Sequence, residues 1–282
     1  MTSRDVVNQV QRIVRPIKVG HAGTLDPLAT GVLVVGVGPA TRLVSYIQQM
    51  RKKYIGTFLL GRHSPTEDVE GKITLLENPP VPSLEQLQLA AQGLVGKIMQ
   101  QPPAFSALKV NGKRAYNLAR KGIAVRLEPR PIIIHKIDIE EYKYPELRLQ
   151  ATCGSGTYIR SLGRDLTKTV GTTAVMSALL RTAVGCFHLE QATQLESIDT
   201  STIEQHLLPP AAALAELPRI VLSDKDVQLL RVGRPLQHNG ISKYDGEYAG
   251  ITPGGQLLAI LQPRGSGLLH PVRNFIHAEP IR

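Results

Sequence analysis

The chain has 282 residues with 42% apolar and 20% charged side chains, which is the composition of an ordinary globular protein rather than a fibrous or disordered one. Its 33 Lys and Arg against 23 Asp and Glu give a net charge of +10, which favours an acidic partner, most simply a nucleic acid. Without an apolar run of ~20 residues, a signal-peptide pattern or histidines at metal-ligand spacing, we expect a cytoplasmic protein with no membrane span and no structural metal.

The N-terminal part of the chain predicts a helix, a glycine-rich loop and strands. Ser3 can cap the helix, in which valines recur at the three- and four-residue spacing of a buried face. The loop contains Asp26, and the apolar residues 31–37 that follow it predict a buried strand. Pro39 suits the first position of a second helix, and residues 55–60 predict the next strand.

Asp26 is an acidic residue in a glycine-rich loop, followed at once by a proline. Such an Asp-Pro pair commonly begins a turn or a helix, and this structural role needs no catalysis. A carboxylate held on a stiff turn can equally be a nucleophile or a general base. The loop by itself leaves both alternatives open.

The middle of the chain predicts one well-capped helix and a strongly basic excursion. Ser83 and Gln86 form the pattern of a capping box before a helical stripe of leucines. Residues 102–136 carry eight Lys or Arg and one Glu, and within them a short helix ended by Gly122 is predicted. This segment favours phosphate binding, with a solvated basic face as the alternative. The candidates for phosphate contact are Lys109, Lys113, Arg114, Arg120 and Lys121.

The following segments predict strands and helices and then a change of composition. Residues 132–142 and 146–153 predict neighbouring strands, the second with apolar and polar side chains in alternation. A glycine-rich turn leads into a helix that buries Ile159, and a further helix is expected at residues 174–180. Beyond residue 196 the segments become short and turn-rich, which is typical of a small β domain.

Five motifs, met in order along the chain, resemble those of the TruB-type tRNA pseudouridine synthases. One such motif can arise by chance, whereas five in family order form a specific match. The resemblance covers residues 3 to about 190. The motifs are GHAGTLDPLATG at residues 20–31, Lys53-Tyr54, PPAFSALKVNG at 102–112, GTYIR at 156–160 with Asp165, and LRTAVG at 180–185.

The resemblance implies an α+β fold, with a mixed, mainly antiparallel sheet, flanking helices and a small C-terminal β-barrel-like domain of the PUA type. It assigns residues 1–196 to the catalytic domain, with 102–136 as an insertion that grips RNA. Residues 197–218 then form a connector and 219–282 an RNA-binding domain, which matches the family more weakly than the rest. No cofactor is implied, and a monomer is the default expectation.

Members of this family isomerise uridine 55 in the T arm of tRNA to pseudouridine. The reaction breaks the bond between base and ribose, turns the uracil and rejoins it through carbon 5, so it needs neither a redox cofactor nor a metal. By resemblance Asp26 is the essential carboxylate, acting either on the base or on the ribose, and Arg160 holds its orientation. Tyr54 is the tyrosine expected to stack on the extruded uracil.

The resemblance assigns roles to three further residues, and for each of them a purely structural role is the alternative. His21 is expected to occupy the gap that the extruded nucleotide leaves, although a loop histidine often only bonds to backbone. Tyr158 and Leu180 are expected to form pocket walls, and a plain core role fits them equally well. For Tyr54 the corresponding alternative is a half-buried strand aromatic.

The start of the chain departs from the family pattern. Members usually carry, before the Thr-Ser pair that opens this first helix, a strand that ends in a Lys-Pro-x-Gly turn. Here the sequence begins Met1-Thr2-Ser3. We therefore expect either a displaced start site or a protein that lacks this strand.

Two rival functions remain. Residues 34–41 form a glycine turn between a predicted strand and helix, as in nucleotide-binding proteins. This turn has two of the three glycines of a dinucleotide fingerprint, and Pro39 removes an N–H where a phosphate would bind. The other rival is an RNA-binding scaffold without catalysis, against which the joint presence of Asp26, Tyr54 and Arg160 argues.

Overall fold

The computed structural model describes residues 1–110, 112–125, 127–238, 245–265 and 267–276. The α-helices in this part of the chain are α1 (Ser3–Ile13), α2 (Val44–Gln49), α3 (Leu84–Gly93), α4 (Ala115–Ala119), α5 (Ile159–Thr169) and α6 (Asp224–Arg231). The strands are β1 (Val19–His21), β2 (Ala29–Gly31), β3 (Val35–Val37), β4 (Lys52–Leu60), β5 (Arg62–His63), β6 (Thr74–Leu75), β7 (Gly96–Gln100), β8 (Lys109–Val110), β9 (Lys113–Arg114), β10 (Arg130–Lys143), β11 (Glu146–Cys153), β12 (Ala174–Val184), β13 (Phe187–His188), β14 (Arg219–Val221), β15 (Leu236–Gln237), β16 (Tyr248–Ile251), β17 (Leu257–Pro263) and β18 (Leu268–Asn274).

The described residues form two compact units. The first unit is drawn from Met1–Thr24, Leu33–Gln48 and Thr193–Arg282, and the second from Leu25–Val32 and Gln49–Ala192. Asp26 therefore belongs to the second unit, together with most of the middle of the chain.

The second unit is built on a sheet of seven strands with α3 and α5 packed against it. Six strands follow the order β13-β12-β4-β11-β10-β7 with antiparallel neighbours, while β2 pairs with β12 in parallel. The core between sheet and helices includes the buried Phe58, Leu87, Leu147, Leu149 and Leu162. Along β11 buried apolar side chains alternate with more exposed ones, as predicted, because one face of the strand meets this core. The predicted α+β class with a mixed, mainly antiparallel sheet is confirmed.

The helix predicted at residues 174–180 is wrong, because these residues begin β12. Their Ala, Met and Leu side chains are good helix formers. The strand nevertheless pairs with β4 from Ala174 to Val184, and with β2 and β13 on its other side. Strand pairing and burial in a central position therefore override the local preference.

The single strand predicted at residues 31–37 is divided in two. β2 ends at Gly31, β3 begins at Val35, and the two strands belong to different sheets. Gly31 has a φ of +99°, and a Cβ atom there would lie 2.3 Å from the carbonyl oxygen of Arg181. Because a side chain would clash with the backbone of β12, the glycine is what allows β2 to approach and pair.

The first unit combines α1, α2 and α6 with a two-stranded sheet, β1-β3, and a five-stranded one. Thr2, rather than the predicted Ser3, caps α1, since Thr2 Oγ1 accepts from the Asp5 N–H at 3.2 Å. The five-stranded sheet curls into a half-barrel with the order β14-β16-β17-β18-β15, in which β14 and β16 are parallel. Three parts of the predicted C-terminal domain lie outside the described residues, namely 239–244, 266 and 277–282.

Candidate active site

Asp26 lies in the loop that precedes β2. Its backbone carbonyl accepts from the Ala29 N–H at 2.9 Å, which closes a turn around Pro27 and Leu28. The turn therefore uses the backbone of Asp26, and both side-chain oxygens are bound elsewhere, by Arg160. Turn formation and a role for the carboxylate are thus compatible in one residue.

Arg160, in the first turn of α5, holds the Asp26 carboxylate through two parallel hydrogen bonds. Its Nε donates to Asp26 Oδ2 at 2.8 Å and its Nη2 donates to Asp26 Oδ1 at 3.1 Å. The guanidinium side chain is 6% exposed, whereas that of Asp26 is 33% exposed. Such a two-bond pair fixes the plane of the carboxylate as well as its position, and leaves one side of it open to a substrate.

The remaining N–H groups of Arg160 bind acceptors from two other segments. Nη1 donates to the carbonyl of Thr66 at 2.8 Å and lies 3.4 Å from Asp68 Oδ2. Nη2 also donates to the carbonyl of Phe105 at 3.1 Å. The guanidinium therefore makes four hydrogen bonds and one further ion-pair contact, which together give Arg160 one defined orientation.

Asp68 belongs to a loop, residues 64–71, that is fastened to the central strand β12. The Met176 N–H donates to the carbonyl of Glu67 at 3.0 Å, and the Val69 N–H donates to the carbonyl of Met176 at 3.0 Å. Asp68 is 4% exposed and accepts from Thr66 Oγ1 at 2.5 Å. No role was predicted for this polar loop, because nothing local marks an aspartate that will meet an arginine far along the chain.

Tyr54 lies on β4 directly opposite Arg181 of β12. Burial raises the pKa of Tyr54 above 10, while the charge of the Arg181 guanidinium opposes this effect and the nearby charge of Asp26 adds to it. The phenol is therefore protonated at neutral pH. β2, which begins three residues after Asp26, pairs with β12 at Leu179–Arg181, and Tyr54 lies opposite Arg181, so the two residues predicted on separate motifs belong to the same part of the sheet.

Arg181 was not predicted as a site residue and is 2% exposed. Its Nε donates to the carbonyl of Val32 at 2.7 Å, and its carbonyl accepts from the Val32 N–H at 2.9 Å. It thus ties the residues after Asp26 to the strand that faces Tyr54. The sequence did contain a signal for Arg181, since it is a basic residue within the otherwise apolar run of β12. A buried charge requires partners, so such a residue can be expected to bind other groups.

Leu180 is not brought to the face of the sheet that carries Tyr54. It pairs with Ile55, and successive residues of a strand point to opposite faces. The neighbouring Leu179 is 6% exposed and shares the face of Tyr54 and Arg181. The geometry therefore favours Leu179 over the predicted Leu180 as an apolar neighbour of the site.

Tyr158 immediately precedes α5, two residues before Arg160. Gln100, which is 1% exposed, accepts from the Tyr158 N–H at 2.8 Å and donates to its carbonyl at 3.1 Å. Gln100 thereby fixes the start of the helix that presents Arg160. His21 lies on β1 in the first unit, opposite Val35, and its predicted role stays a prediction.

The basic segment 102–136 contains the antiparallel pair β8-β9 and the short helix α4, near the predicted helix at residues 114–120. Its Arg120 lies over the ring of Tyr116, 5.6 Å from the ring centroid. Two of its residues, Asn111 and Arg126, lie outside the described part of the chain. All five predicted phosphate contacts are exposed, namely Lys109, Lys113, Arg114, Arg120 and Lys121.

The assembled site offers a partly exposed carboxylate, a buried cation behind it and a protonated phenol beside it. This set can attack or deprotonate a bound substrate and can stack on a planar base. In the described part of the chain, no three His, Cys, Asp or Glu side chains are placed to hold a metal ion. None of the described helices combines the length and the apolarity needed to cross a membrane.

Comparison with known proteins agrees with the motifs. Residues 11–159 match the model of the TruB family pseudouridylate synthase N-terminal domain. A tRNA pseudouridine synthase B of Corynebacterium aurimucosum is 40% identical over 274 residues, which cover 95% of this chain and 90% of the relative. One of Dehalococcoides mccartyi is 37% identical over 284 residues, covering 99% of this chain and 94% of the relative.

Among solved structures, the chain is similar in fold to one described as the crystal structure of a Cbf5-Nop10-Gar1 complex. The TM-score is 0.73 at 24% sequence identity, and the match covers 98% of this chain and 82% of that one. The family model and the relatives at 37–40% identity confirm the family predicted from the five motifs, and this chain belongs to the TruB family of pseudouridylate synthases.

Proposed function

We propose that this protein isomerises uridine to pseudouridine in tRNA, at uridine 55 of the T arm, with Asp26 as the essential carboxylate. Relatives named tRNA pseudouridine synthase B, at 37–41% identity over most of the chain, support the activity on tRNA. The main structural support for Asp26 as the essential carboxylate is its two-bond pair with Arg160, which holds a partly exposed carboxylate against a buried cation.

The reaction rearranges one nucleotide without gain or loss of atoms. The bond from ribose carbon 1′ to uracil N1 breaks, a bond from carbon 1′ to uracil C5 forms, and the hydrogen on C5 is replaced by one on N1. Asp26 would supply the electron pair that opens this sequence, at either the base or the ribose. Tyr54 would stack on the uracil, and its raised pKa favours a hydrogen-bond donor over a base at neutral pH.

The uridine must leave its stacked position in the RNA to reach Asp26. We assign the exposed basic residues of 102–136 to phosphate contacts, His21 to the gap left by the nucleotide, and Leu179 to an apolar wall of the pocket. The curled C-terminal sheet would act as a PUA-type RNA-binding module spanning residues 219–282, after a connector at 197–218. The proposed catalytic region 1–196 contributes residues to both compact units. We further propose a cytoplasmic monomer.

The proposed function predicts pseudouridine in an unmodified tRNA transcript incubated with the wild-type protein. The matched control is a transcript with cytidine at position 55, in which no product is expected because the target base is absent. Product is measured by mapping pseudouridine along the transcript. Product at another position would overturn the T-arm assignment, and a folded protein that binds tRNA without forming product would support the non-catalytic scaffold instead.

Removing charge from the basic segment should weaken tRNA binding without slowing the chemical step. For Lys113→Ala with Arg114→Ala, on the exposed strand β9, we expect the Kd for tRNA to rise about 10-fold and the slope of log K against log salt to fall by about 1–2. Single-turnover rates at saturating tRNA should stay within about twofold of wild type.

The matched control for this pair removes two exposed lysines elsewhere in the same unit, Lys143 and Lys168. Lys143→Ala with Lys168→Ala lowers the net charge equally and should leave the Kd nearly unchanged. Equal weakening by both double variants would mean that overall charge, rather than this segment, binds the RNA.

A further inference from the structure

Gln100 lies at the point where the basic segment leaves the seven-stranded sheet. It is the last residue of β7 and pairs with Arg130, the first residue of β10, so the chain leaves the sheet and returns to it at this pair. Gln100 is 1% exposed, which closes it off from a bound RNA. A buried amide is tolerated where its hydrogen bonds are made, so its partners indicate what it does.

The amide of Gln100 binds the backbone at the start of α5. Tyr158 is the residue before this helix, and its own side chain makes no capping hydrogen bond. Gln100 Oε1 accepts from the Tyr158 N–H at 2.8 Å, and Nε2 donates to the Tyr158 carbonyl at 3.1 Å. In a capping box this N–H is bound by a side chain of the helix itself. Here a strand residue binds it, so the position of the helix start is set from the sheet.

The root of the insertion, which we define as residues 100–105, binds α5 at two further points. The carbonyl of Gln101 accepts from Arg164 Nη2 at 2.8 Å, and the carbonyl of Phe105 accepts from Arg160 Nη2 at 3.1 Å. The two prolines between these carbonyls are buried and restrict the backbone. The root is therefore a stiff segment that is bonded to the first two turns of α5 at both of its ends.

The position of this helix start matters for the site because Arg160 comes two residues after Tyr158. The two bonds from Arg160 to Asp26, at 2.8 and 3.1 Å, require the guanidinium and the carboxylate to share one plane. A shift of the first turn of α5 would turn or withdraw the guanidinium, and the carboxylate would lose its orientation. A misplacement of about 1 Å at a reacting group can lower a rate about 100-fold.

We propose that Gln100 is a positioning residue for the reaction, which acts through the start of α5 on Arg160 and Asp26. The inference rests on the proposed role of Asp26. A primary amide suits this task because it accepts from an N–H with one end and donates to a carbonyl with the other. An apolar side chain of the same length can do neither, and it would leave the buried N–H of Tyr158 without this acceptor.

Asn274 provides a matched control for a loss of stability alone. Its Nδ2 donates to the carbonyl of Leu230 at 2.7 Å, and its Oδ1 accepts from the Ile276 N–H at 2.9 Å. Gln100→Met and Asn274→Leu therefore each replace a backbone-binding amide with an apolar side chain of similar size. Asn274 belongs to the first compact unit, whereas Asp26, Gln100 and the whole of α5 belong to the second.

The test compares kcat at saturating tRNA transcript, KM and the midpoint of thermal unfolding in these two variants. For Gln100→Met we expect kcat to fall about 10- to 100-fold while KM changes less than about threefold, since Gln100 does not touch the RNA. For Asn274→Leu we expect a similar decrease of the midpoint but a kcat within about twofold of wild type. Wild-type kcat in Gln100→Met, or an equal loss in Asn274→Leu, would overturn the inference.

A second variant keeps the outcome decisive if Gln100→Met does not fold. Gln100→Asn retains the amide but is one methylene shorter, so it cannot make both bonds to Tyr158 at their present lengths. We then expect kcat about 3- to 10-fold lower with KM unchanged, and wild-type kcat in this variant would count against the inference. A wild-type protein that forms no pseudouridine would instead refute the proposed function, which separates the two failures.

Discussion

Asp26→Asn is expected to abolish pseudouridine formation while leaving the protein folded. The amide has the size of the carboxylate but lacks the basicity needed to attack a carbon or take a proton. We expect kcat to fall on the order of 10⁴-fold, the scale seen when the reacting group of an enzyme is removed. Rates should be measured with a tRNA transcript at saturating concentration, so that weakened binding does not enter the result.

Stability should change little in the Asp26→Asn variant, because the new side chain keeps one carbonyl oxygen for Arg160 and the cation retains Asp68. We expect the free energy of unfolding to fall by about 1 kcal/mol, because one hydrogen bond to a charged group is weakened. Asp138→Asn is the control, since Asp138 is 43% exposed in its pair with Lys136 and should keep full activity. Product formed by Asp26→Asn at the wild-type rate would exclude Asp26 as the essential carboxylate.

Arg160→Met is expected to cause the largest loss of stability of any single change at the site. It leaves Asp26 and Asp68 without their shared cation and leaves the carbonyls of Thr66 and Phe105 without a donor. Breaking a buried ion pair from one side destabilises proteins by about 3–5 kcal/mol, and we expect a value in this range. This loss in the free energy of unfolding is measured by denaturant unfolding. In the folded fraction, kcat should fall by on the order of 10³-fold because Asp26 loses its orientation.

Two further variants test whether the loss of the buried network around Arg160 causes the lower stability. Arg160→Lys keeps the charge but cannot make two parallel bonds to Asp26 and still reach both carbonyls. Its free energy of unfolding and its kcat should therefore lie between those of Arg160→Met and wild type. Arg164→Met removes an arginine one turn along α5 that is 28% exposed, and it should cost only about 1 kcal/mol. If Arg160→Met were no less stable than Arg164→Met, the buried network around Arg160 would not be a determinant of stability.

The sequence alone was sufficient for features that depend on residues close together in the chain. The capping box of Ser83 and Gln86 forms as predicted, with hydrogen bonds of 3.3 and 2.8 Å between residues three apart. The alternation along β11 and the helix after Tyr158 also follow their local patterns. Such contacts are determined within one or two turns or strand steps, so no knowledge of the rest of the fold is needed.

Only the tertiary structure decided which side chains meet and which local preferences are overruled. Residues 174–180 prefer a helix locally but pair with β4, more than 100 positions earlier, and become the strand that carries Arg181. The motifs identified Asp26 and Arg160 separately, whereas their two-bond contact joins residues 134 apart. Asp68 has no local signal, because its significance comes from a guanidinium delivered by α5. A buried charge acquires its role from partners that the fold assembles, and this is why Asp68 could not be predicted from sequence as a partner of Arg160.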